Sequence, residues 1–481
     1  MRHIIFLLLS FSVSQLFAQQ IRTLSLEECL QIIRSESPNA EIAQYNFEEA
    51  ENNYQAYQYG LLPQLTLFAD VPGLTRSITG ITQDDGTTLF QPQSQLFSSA
   101  NLGFSQALPF TGGRVTLFSG LSNFQLLEDN ELSLWRTSPI SISYTQPLFQ
   151  PNRIKFGLEN VKARYQLARV SKLQEIEQAA VDLTLTYFDA ITSLSELQQA
   201  EINVRNNDTI FQISEGRFSV GKIAENELLQ SELSLMNARA DKQRAELQYE
   251  QSLQQLRRLL GMGESQALEL VVPEDLPTVN VDPDFAVAQA MKYSRLVQSG
   301  KVNALNAEQQ VKEARADNRF NADITASFGL NQTGSDLSEA YKNPINQQSF
   351  SVGFNLPIFQ WGSGKAEVDA RLARQKAIIM SQEQAELNFG DDIRYRVLTL
   401  DQLRTQLDIS ARSDTISRKR YTITKNRYLI GKVSIQDLFI AQDERDRARL
   451  QHVNNLRNFW VALARLRADT LFDFAKGQPV E

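Results

Sequence analysis

Cysteine occurs once in 481 residues, at Cys29, and histidine twice, at His3 and His452. One thiol makes no internal disulfide, and so little imidazole leaves almost no material for a His/Cys metal centre or for a Cys-His or Ser-His catalytic pair. A carboxylate-only site is not removed by this counting. Two histidines and five methionines are also thin provision for binding copper or silver, which soft sulfur and imidazole ligands hold. Basic charge is short too: 48 Lys and Arg against 56 Asp and Glu give a net charge of −8. That balance is unfavourable for binding nucleic acid or anionic lipid through a general basic surface. Beyond the N-terminus no apolar run reaches the roughly eighteen residues that a membrane-crossing helix needs. No metal, cofactor or nucleic-acid partner is expected.

The N-terminus reads as a secretory signal over 1–18. Arg2 supplies the positive charge, Ile4 to Phe11 an apolar run too short to span a bilayer, and Ala18 before Gln19-Gln20 a cleavage point. Leu16 departs from the small residue usual three positions before the cut. Cys29 sits inside an amphipathic segment, which speaks against a lipid-anchored mature end. The chain is read as exported.

What is present is repetition. RFSVGKIAENEL at Arg217–Leu228 is answered by RYLIGKVSIQDL at Arg427–Leu438, 210 positions on. At the same offset Pro147, Leu148 and Phe149 meet Pro357, Ile358 and Phe359, Lys155 meets Lys365, and Leu253, Leu256 and Arg257 meet Leu463, Leu466 and Arg467. The chain is a tandem duplication, and a period this long makes each copy a structural half.

Each copy of the motif interrupts a long helical pattern. Leu173, Ile176, Ala180, Leu183, Tyr187, Ala190, Leu194 and Leu197 alternate steps of three and four, a heptad seam. Leu228, Leu235, Ala238, Ala245, Tyr249, Leu256 and Leu259 continue the rhythm more loosely. Gly221 and Gly431 are therefore expected in the left-handed conformation at helix ends. Ser434 and Asp437 form a capping box at the second restart, where the first copy has Ala224 and keeps only Glu227.

Elsewhere the period drops to two, as in strands. Ile324, Ala326, Phe328 and Leu330 alternate with Thr325, Ser327 and Gly329; Phe350, Val352, Phe354 and Leu356 alternate with Ser351, Gly353 and Asn355. The polar loop between them suits a barrel hairpin, although a half-buried soluble sheet alternates in the same way. In the first half Leu65–Asp70 and Ile140–Gln146 take the equivalent places. The longer stretch between them holds two more alternating segments, near Ser99–Leu108 and Arg114–Phe124, either joining the barrel or folding as an accessory hairpin. The division is a signal at 1–18, a first repeat at 19–260 with strands at about 62–147 and a helical hairpin at 154–260, and a linker at 261–283. A second repeat follows at 284–470, with strands at about 321–357 and a hairpin at 365–468, then a tail at 471–481. The fold class is mainly α with a membrane β-barrel portion: long coiled-coil hairpins plus four principal strands, two per repeat, with an extra hairpin in the first.

The order of these features resembles the outer-membrane efflux protein family, the TolC-type export ducts of Gram-negative bacteria. The likeness is carried by Leu24-Ser25-Leu26-Glu27-Glu28-Cys29-Leu30 followed by Ser37-Pro38, by Leu62-Pro63-Gln64-Leu65 at the helix-to-strand switch, and by Gln146-Pro147-Leu148-Phe149 and Leu356-Pro357-Ile358-Phe359 at the strand-to-helix switches, together with the two R-[FY]-x-x-G-K motifs. It implies a homotrimer in outer-membrane lipid. Four strands per chain cannot close a barrel alone, which independently calls for several copies. It also implies a passive duct for tripartite efflux or type I secretion, working with a periplasmic adaptor and an inner-membrane pump of RND, ABC or MFS type. By the same resemblance Phe218, Gly221, Lys222 and Glu227 with Tyr428, Gly431, Lys432, Ser434 and Asp437 lie at the periplasmic tip, as gate and adaptor contact. Where the family often carries an acid one turn after the aligned Asp437, this chain has Ile440, so no cation ring is assigned.

Two readings from other classes compete. A soluble periplasmic coiled-coil scaffold or adaptor also uses long hairpins, but it would not need the duplicated strands. An envelope enzyme has only the abundance of Asp and Glu behind it. The smaller features read as structure: Trp361-Gly362-Ser363-Gly364 as a strand-to-helix turn, Phe459 and Trp460 as packing, His452 as a solvated helix residue, and Trp135, Phe149, Phe359 and Trp361 as an aromatic girdle at the lipid boundary.

Overall fold

The computed structural model describes residues 22–127, 132–263, 268–273 and 276–480. The expected signal at 1–18 lies outside them. The first half runs β1 (Arg22–Leu24), α1 (Leu26–Ser35), α2 (Pro38–Gly60), β2 (Gln64–Thr82), β3 (Thr88–Leu108), β4 (Gly113–Leu126), β5 (Leu132–Leu148), α3 (Arg153–Ser219) and α4 (Glu225–Leu259). After β6 (Leu268–Leu270) the second half runs α5 (Pro283–Tyr293), α6 (Arg295–Asp317), β7 (Asn321–Gly334), β8 (Ile345–Asn355), α7 (Ser363–Leu429) and α8 (Ile435–Thr470), and ends in the short strands β9 (Phe472–Asp473) and β10 (Gln478–Pro479). The two long helices have 67 residues each, about 100 Å of helix at 1.5 Å per residue.

The chain forms two compact units, and each sequence repeat contributes to both. One unit comprises Phe47–Arg169 and Arg295–Glu386. It holds a single antiparallel sheet in the order β2-β3-β4-β5-β7-β8. The open question of the extra pair is answered here: β3 and β4 lie inside the sheet, between β2 and β5, with each neighbour bonded along most of its length. The first half thus contributes four strands. The sequence hid their length because Pro72 and Pro92 interrupt the alternation; a β-bulge between Asp70 and Gly73 absorbs the first, and β3 continues through the second. In the same unit Gly157 lets α2 lie against α3. Tyr57 donates to the Ile154 carbonyl at 2.9 Å, and a Cβ on Gly157 would stand 1.9 Å from the Tyr57 oxygen.

The other unit comprises the chain up to Asn46, Val170–Ser294 and the chain from Leu387. Its core joins Leu26, Cys29 and Ile33 of α1 to Ala180, Leu183, Tyr187 and Ala190 of α3, Leu256 of α4, Ile393 of α7, and Phe459 and Leu466 of α8. The α3 residues are the heptad seam, and Phe459 packs in the core with Trp460 partly buried against it. The Tyr187 hydroxyl lies within bonding distance of two carbonyls, Leu24 at 3.0 Å and Val271 at 2.5 Å, and so fastens the chain beside both strands of the parallel pair β1–β6. Glu177, 2% exposed, accepts two bonds from Arg34 and two from Arg467, and Arg467 also reaches Asp473. One buried carboxylate therefore links α1, α3, α8 and the C-terminal tail. His452 corrects an expectation: it is half-buried, with Nδ1 3.3 Å from Ser410 Oγ, because α7 covers the polar face on which it sits.

Candidate functional site

The register of the sheet decides what each face can touch. Across the strands Leu65 pairs with Phe104, which pairs with Leu117, then Ile142, Phe328 and Gln348; one step along, Leu67 pairs with Leu102. Ile324, Ala326 and Leu330 share that side on β7, as do Phe350, Val352 and Phe354 on β8. The other side carries Thr66, Gly103, Thr116, Ser143, Ser141, Thr325, Ser327, Ser349 and Ser351, with Phe68, Phe97, Phe118 and Phe124 as exceptions. Most of the apolar side is exposed, including Leu65, Leu67, Leu102, Ile142, Phe328, Phe350 and Phe354. A contiguous apolar face of this size is not compatible with water; with a polar back it matches a barrel wall between lipid and lumen. Along β3 the stretch from Leu96 to Phe104 is about 27 Å long at 3.4 Å per residue.

The switch residues sit where strands become helices. Pro147 is still paired, with Asp323, near the end of β5. Phe149 follows in the left-handed region at φ 62° and packs against Phe320 at 5.5 Å. Pro357 and Phe359 lie in the irregular link before α7, and Phe359 meets Trp361 edge-on at 4.4 Å. The segment Trp361–Gly364 is the turn into α7, with Trp361 and Gly362 both at positive φ. Trp135 stands apart from the other three aromatics, at the opposite end of β5 against Gly334. Phe149, Phe359 and Trp361 thus lie at the helix end of the strands and Trp135 at the far end of β5.

In the other unit the two motif copies build the same turn. Lys222 N–H donates to the Arg217 carbonyl at 2.8 Å and Gly221 N–H to Phe218 at 2.9 Å; Lys432 donates to Arg427 and Gly431 to Tyr428, each at 2.9 Å. These paired bonds close a helix end around a left-handed residue, and Gly221 at φ 71° and Gly431 at φ 75° supply it. The restarts differ. Ser434 Oγ accepts from Asp437 N–H at 3.1 Å while the Asp437 carboxylate accepts from Ser434 N–H at 3.1 Å and from its hydroxyl at 2.7 Å. The Ser434 hydroxyl and backbone bonds hold the Asp437 carboxyl below the usual aspartate range. Ala224 gives α4 no side-chain cap, and Glu227 returns only its N–H to the Ala224 carbonyl, at 3.0 Å.

The equivalent aromatics part company: Phe218 is 40% exposed and Tyr428 4%. Tyr428 belongs to a small core with Ile210, Tyr421, Ile435, Leu438 and Ala441. Sequence reading missed the residue that holds it. Arg217 Nη2 donates to the carbonyls of Tyr428 and Leu429, at 3.0 Å each, and its guanidinium lies 5.1 Å from the Tyr428 ring centre. The Tyr428 hydroxyl is 3.2 Å from Ser214 Oγ. Farther along the same helices Lys425 donates to Asn206 at 2.6 Å, and Asn203 bridges Asp446 at 2.8 Å and Arg445 at 2.7 Å. Burial pushes the Asp446 carboxyl up, against the opposing pull of Asn203 and Arg445. Lys222 and Lys432 are exposed at the turns; the ties between hairpins nearest the turns run through Arg217, Asn203 and Lys425.

Among the described residues no helix is long and apolar enough to cross a membrane, while the sheet has a lipid face and a polar face. A sheet with one apolar and one polar face in one unit, and polar helical hairpins in the other, are the parts of a membrane channel of mixed β and α structure. The outer membrane efflux protein profile matches residues 127–262 and 286–469, and the chain belongs to that family: it is an outer-membrane channel for efflux that reaches into the periplasm. The pyoverdine export outer membrane protein OpmQ of Pseudomonas aeruginosa is 23% identical over 367 residues, covering 72% of this chain and 73% of its own. The cation efflux protein CusC of Escherichia coli is 23% identical over 54% of this chain and 56% of its own. The crystal structure of the Campylobacter jejuni CmeC outer membrane channel superposes with a TM-score of 0.68 at 15% identity, over 95% of this chain and 86% of that one.

Proposed function

We propose that three copies of the chain form one passive outer-membrane duct, completing a tripartite efflux or type I secretion assembly. A periplasmic adaptor and an inner-membrane pump of RND, ABC or MFS type supply contact and energy, and the duct itself performs no catalysis. The observation that carries this is the sheet with a lipid-compatible face and two open edges, β2 and β8, which a single chain leaves unpaired. The turns at Arg217–Leu228 and Arg427–Leu438 are the periplasmic gate. Arg217, bound to the Tyr428 and Leu429 carbonyls, holds the closed arrangement, and adaptor binding favours the open one by population shift. Pyoverdine, cations and toxins or drugs are the cargoes in the names of relatives; this duct is read as an exit for pump-selected small solutes of that kind. Conductance across planar bilayers tests the gate. Arg217→Ala, Asp437→Ala and Tyr428→Phe are expected to open more often than wild type, and unchanged open probability in all three would remove the gate from these turns.

A further inference from the structure

The sheet ends in two unpaired edges, and both lie in the apolar band. In hydrocarbon each unpaired N–H or C=O costs several kcal/mol, so neither edge can face lipid. Six strands are too few to close on themselves, since spanning barrels begin at about eight. The edge of one copy must therefore meet the edge of another, and two constraints fix how.

The first is parity. Outward residues are odd-numbered on β2 (Leu65, Leu67, Ala69) and even-numbered on β8 (Phe350, Val352, Phe354). A one-residue slip turns a whole strand over, so only every second register keeps the apolar face continuous. The second is tilt. Straight across the ladder from Gln64 lie Ser105, Thr116, Ser143, Ser327 and Ser349. Ser349 is six residues from Asn355, where β8 ends. If Gln64 of the next copy stands opposite Asn355, the ladder climbs six residues over six strands. At about 3.3 Å per residue and about 4.8 Å between strands the tilt is about 35°, within the range of membrane barrels. Two residues one way flattens it to about 25°, outside that range; two residues the other way leaves Gln64 and Leu65 beyond the end of β8.

We propose that the pore wall is an eighteen-stranded barrel, closed by antiparallel pairing of β2 in each copy with β8 of the next, Leu65 opposite Phe354 and Leu67 opposite Val352. The proposal rests on the trimeric reading above. At this tilt the backbone cylinder is about 34 Å across, against about 22 Å for twelve strands. The wall is half again as wide as two strands per repeat would make it, because β3 and β4 are part of it.

Cysteine cross-linking in outer-membrane fragments tests the register. Cys29, the one native thiol, is buried and serves as the control. A chain carrying Leu65→Cys and Phe354→Cys is expected to give covalent dimers and trimers with a short bis-maleimide, several-fold more than Leu67→Cys with Phe354→Cys. A reversed preference overturns the register. So does the absence of links in a chain that native mass spectrometry finds trimeric. A wild-type chain of any other stoichiometry would instead remove the trimeric reading. Image reconstruction of the unmodified trimer gives the second readout: eighteen wall strands are expected, and twelve, with β3 and β4 outside the wall, would overturn the proposal whatever the variants do.

Discussion

Glu177 and Arg467 are 290 positions apart, yet they form a two-pronged ion pair at 2.8 and 3.2 Å in a place where Glu177 is almost sealed from water. Arg34 grips the same carboxylate from the other side at 3.0 Å. Removing Glu177 leaves two guanidinium groups short of a partner, and breaking a buried pair in this way costs about 3–5 kcal/mol. Glu177→Ala should lower the midpoint of denaturant unfolding accordingly. Arg467→Leu, which leaves the Arg34 bond in place, should lower it less. Equal loss in both would show that the carboxylate is not the hub.

The two helix restarts predict opposite responses to the same side chain. Ser434→Ala removes a cap and should destabilise the start of α8 by about 1 kcal/mol, whereas Ala224→Ser adds one to α4 and should stabilise it by a similar amount. Hydrogen exchange of the first-turn amides reads each effect locally. Because Asp437 has its pKa lowered by the Ser434 bonds, its contribution is present above the ordinary value of 3.8 and is lost as pH falls through the lower folded value. Protection at Asp437 should therefore decline in acid in wild type and decline less in Ser434→Ala, which loses the hydroxyl bond but keeps the bond from the backbone N–H.

His452 gives a second pH dependence, at a different place in the range. Burial holds its pKa below the ordinary 6.5, so the unfolded chain takes the proton first. The stability of the neutral form is complete above 6.5 and disappears as pH falls through the folded value. Melting at pH 7.5 and at pH 5 should show a larger loss for wild type than for His452→Gln. A loss of equal size would place the acid sensitivity elsewhere.

The two faces of one strand should respond differently to charge. Phe328 and Ser327 are neighbours on β7 that point to opposite sides of the sheet. Arginine on the lipid face near mid-membrane costs about 2–4 kcal/mol, and lumen positions tolerate it. Phe328→Arg should shift the urea midpoint of the membrane-inserted protein well below that of Ser327→Arg. The reverse order would exchange lipid and lumen.

How much was readable depended on whether the physics was local. Helices announced themselves through the spacing of Leu183, Tyr187 and Ala190, and β7 and β8 through strict alternation from Ile324 and Phe350. The turns were legible because a left-handed residue must be cheap, and Gly221 and Gly431 made it so. Strand length in the first half was obscured where Pro72 and Pro92 broke the alternation, since only a neighbouring strand reveals that pairing continues past them. Long-range ties were invisible for another reason. The repeat aligns Arg217 with Arg427, but the folded chain sets Arg217 against the carbonyl of Tyr428, the partner of Phe218 in that alignment. Nothing in the offset distinguishes an exposed Phe218 from a buried Tyr428; the asymmetry arises from packing between the halves.

The hairpin of β2 and β3 is longer than the strands beside it. β4 stops against Gln95, while the ladder with β2 runs on through Thr88 opposite Thr82. About 20 Å of ribbon thus stands clear of its neighbouring strand, at the end of the wall farthest from the helices, and its bend at Gln83–Thr87 is exposed. On a bacterium that bend is a ready-made display post: a short epitope spliced into it should be reachable by antibody on intact cells, with the channel beneath left undisturbed.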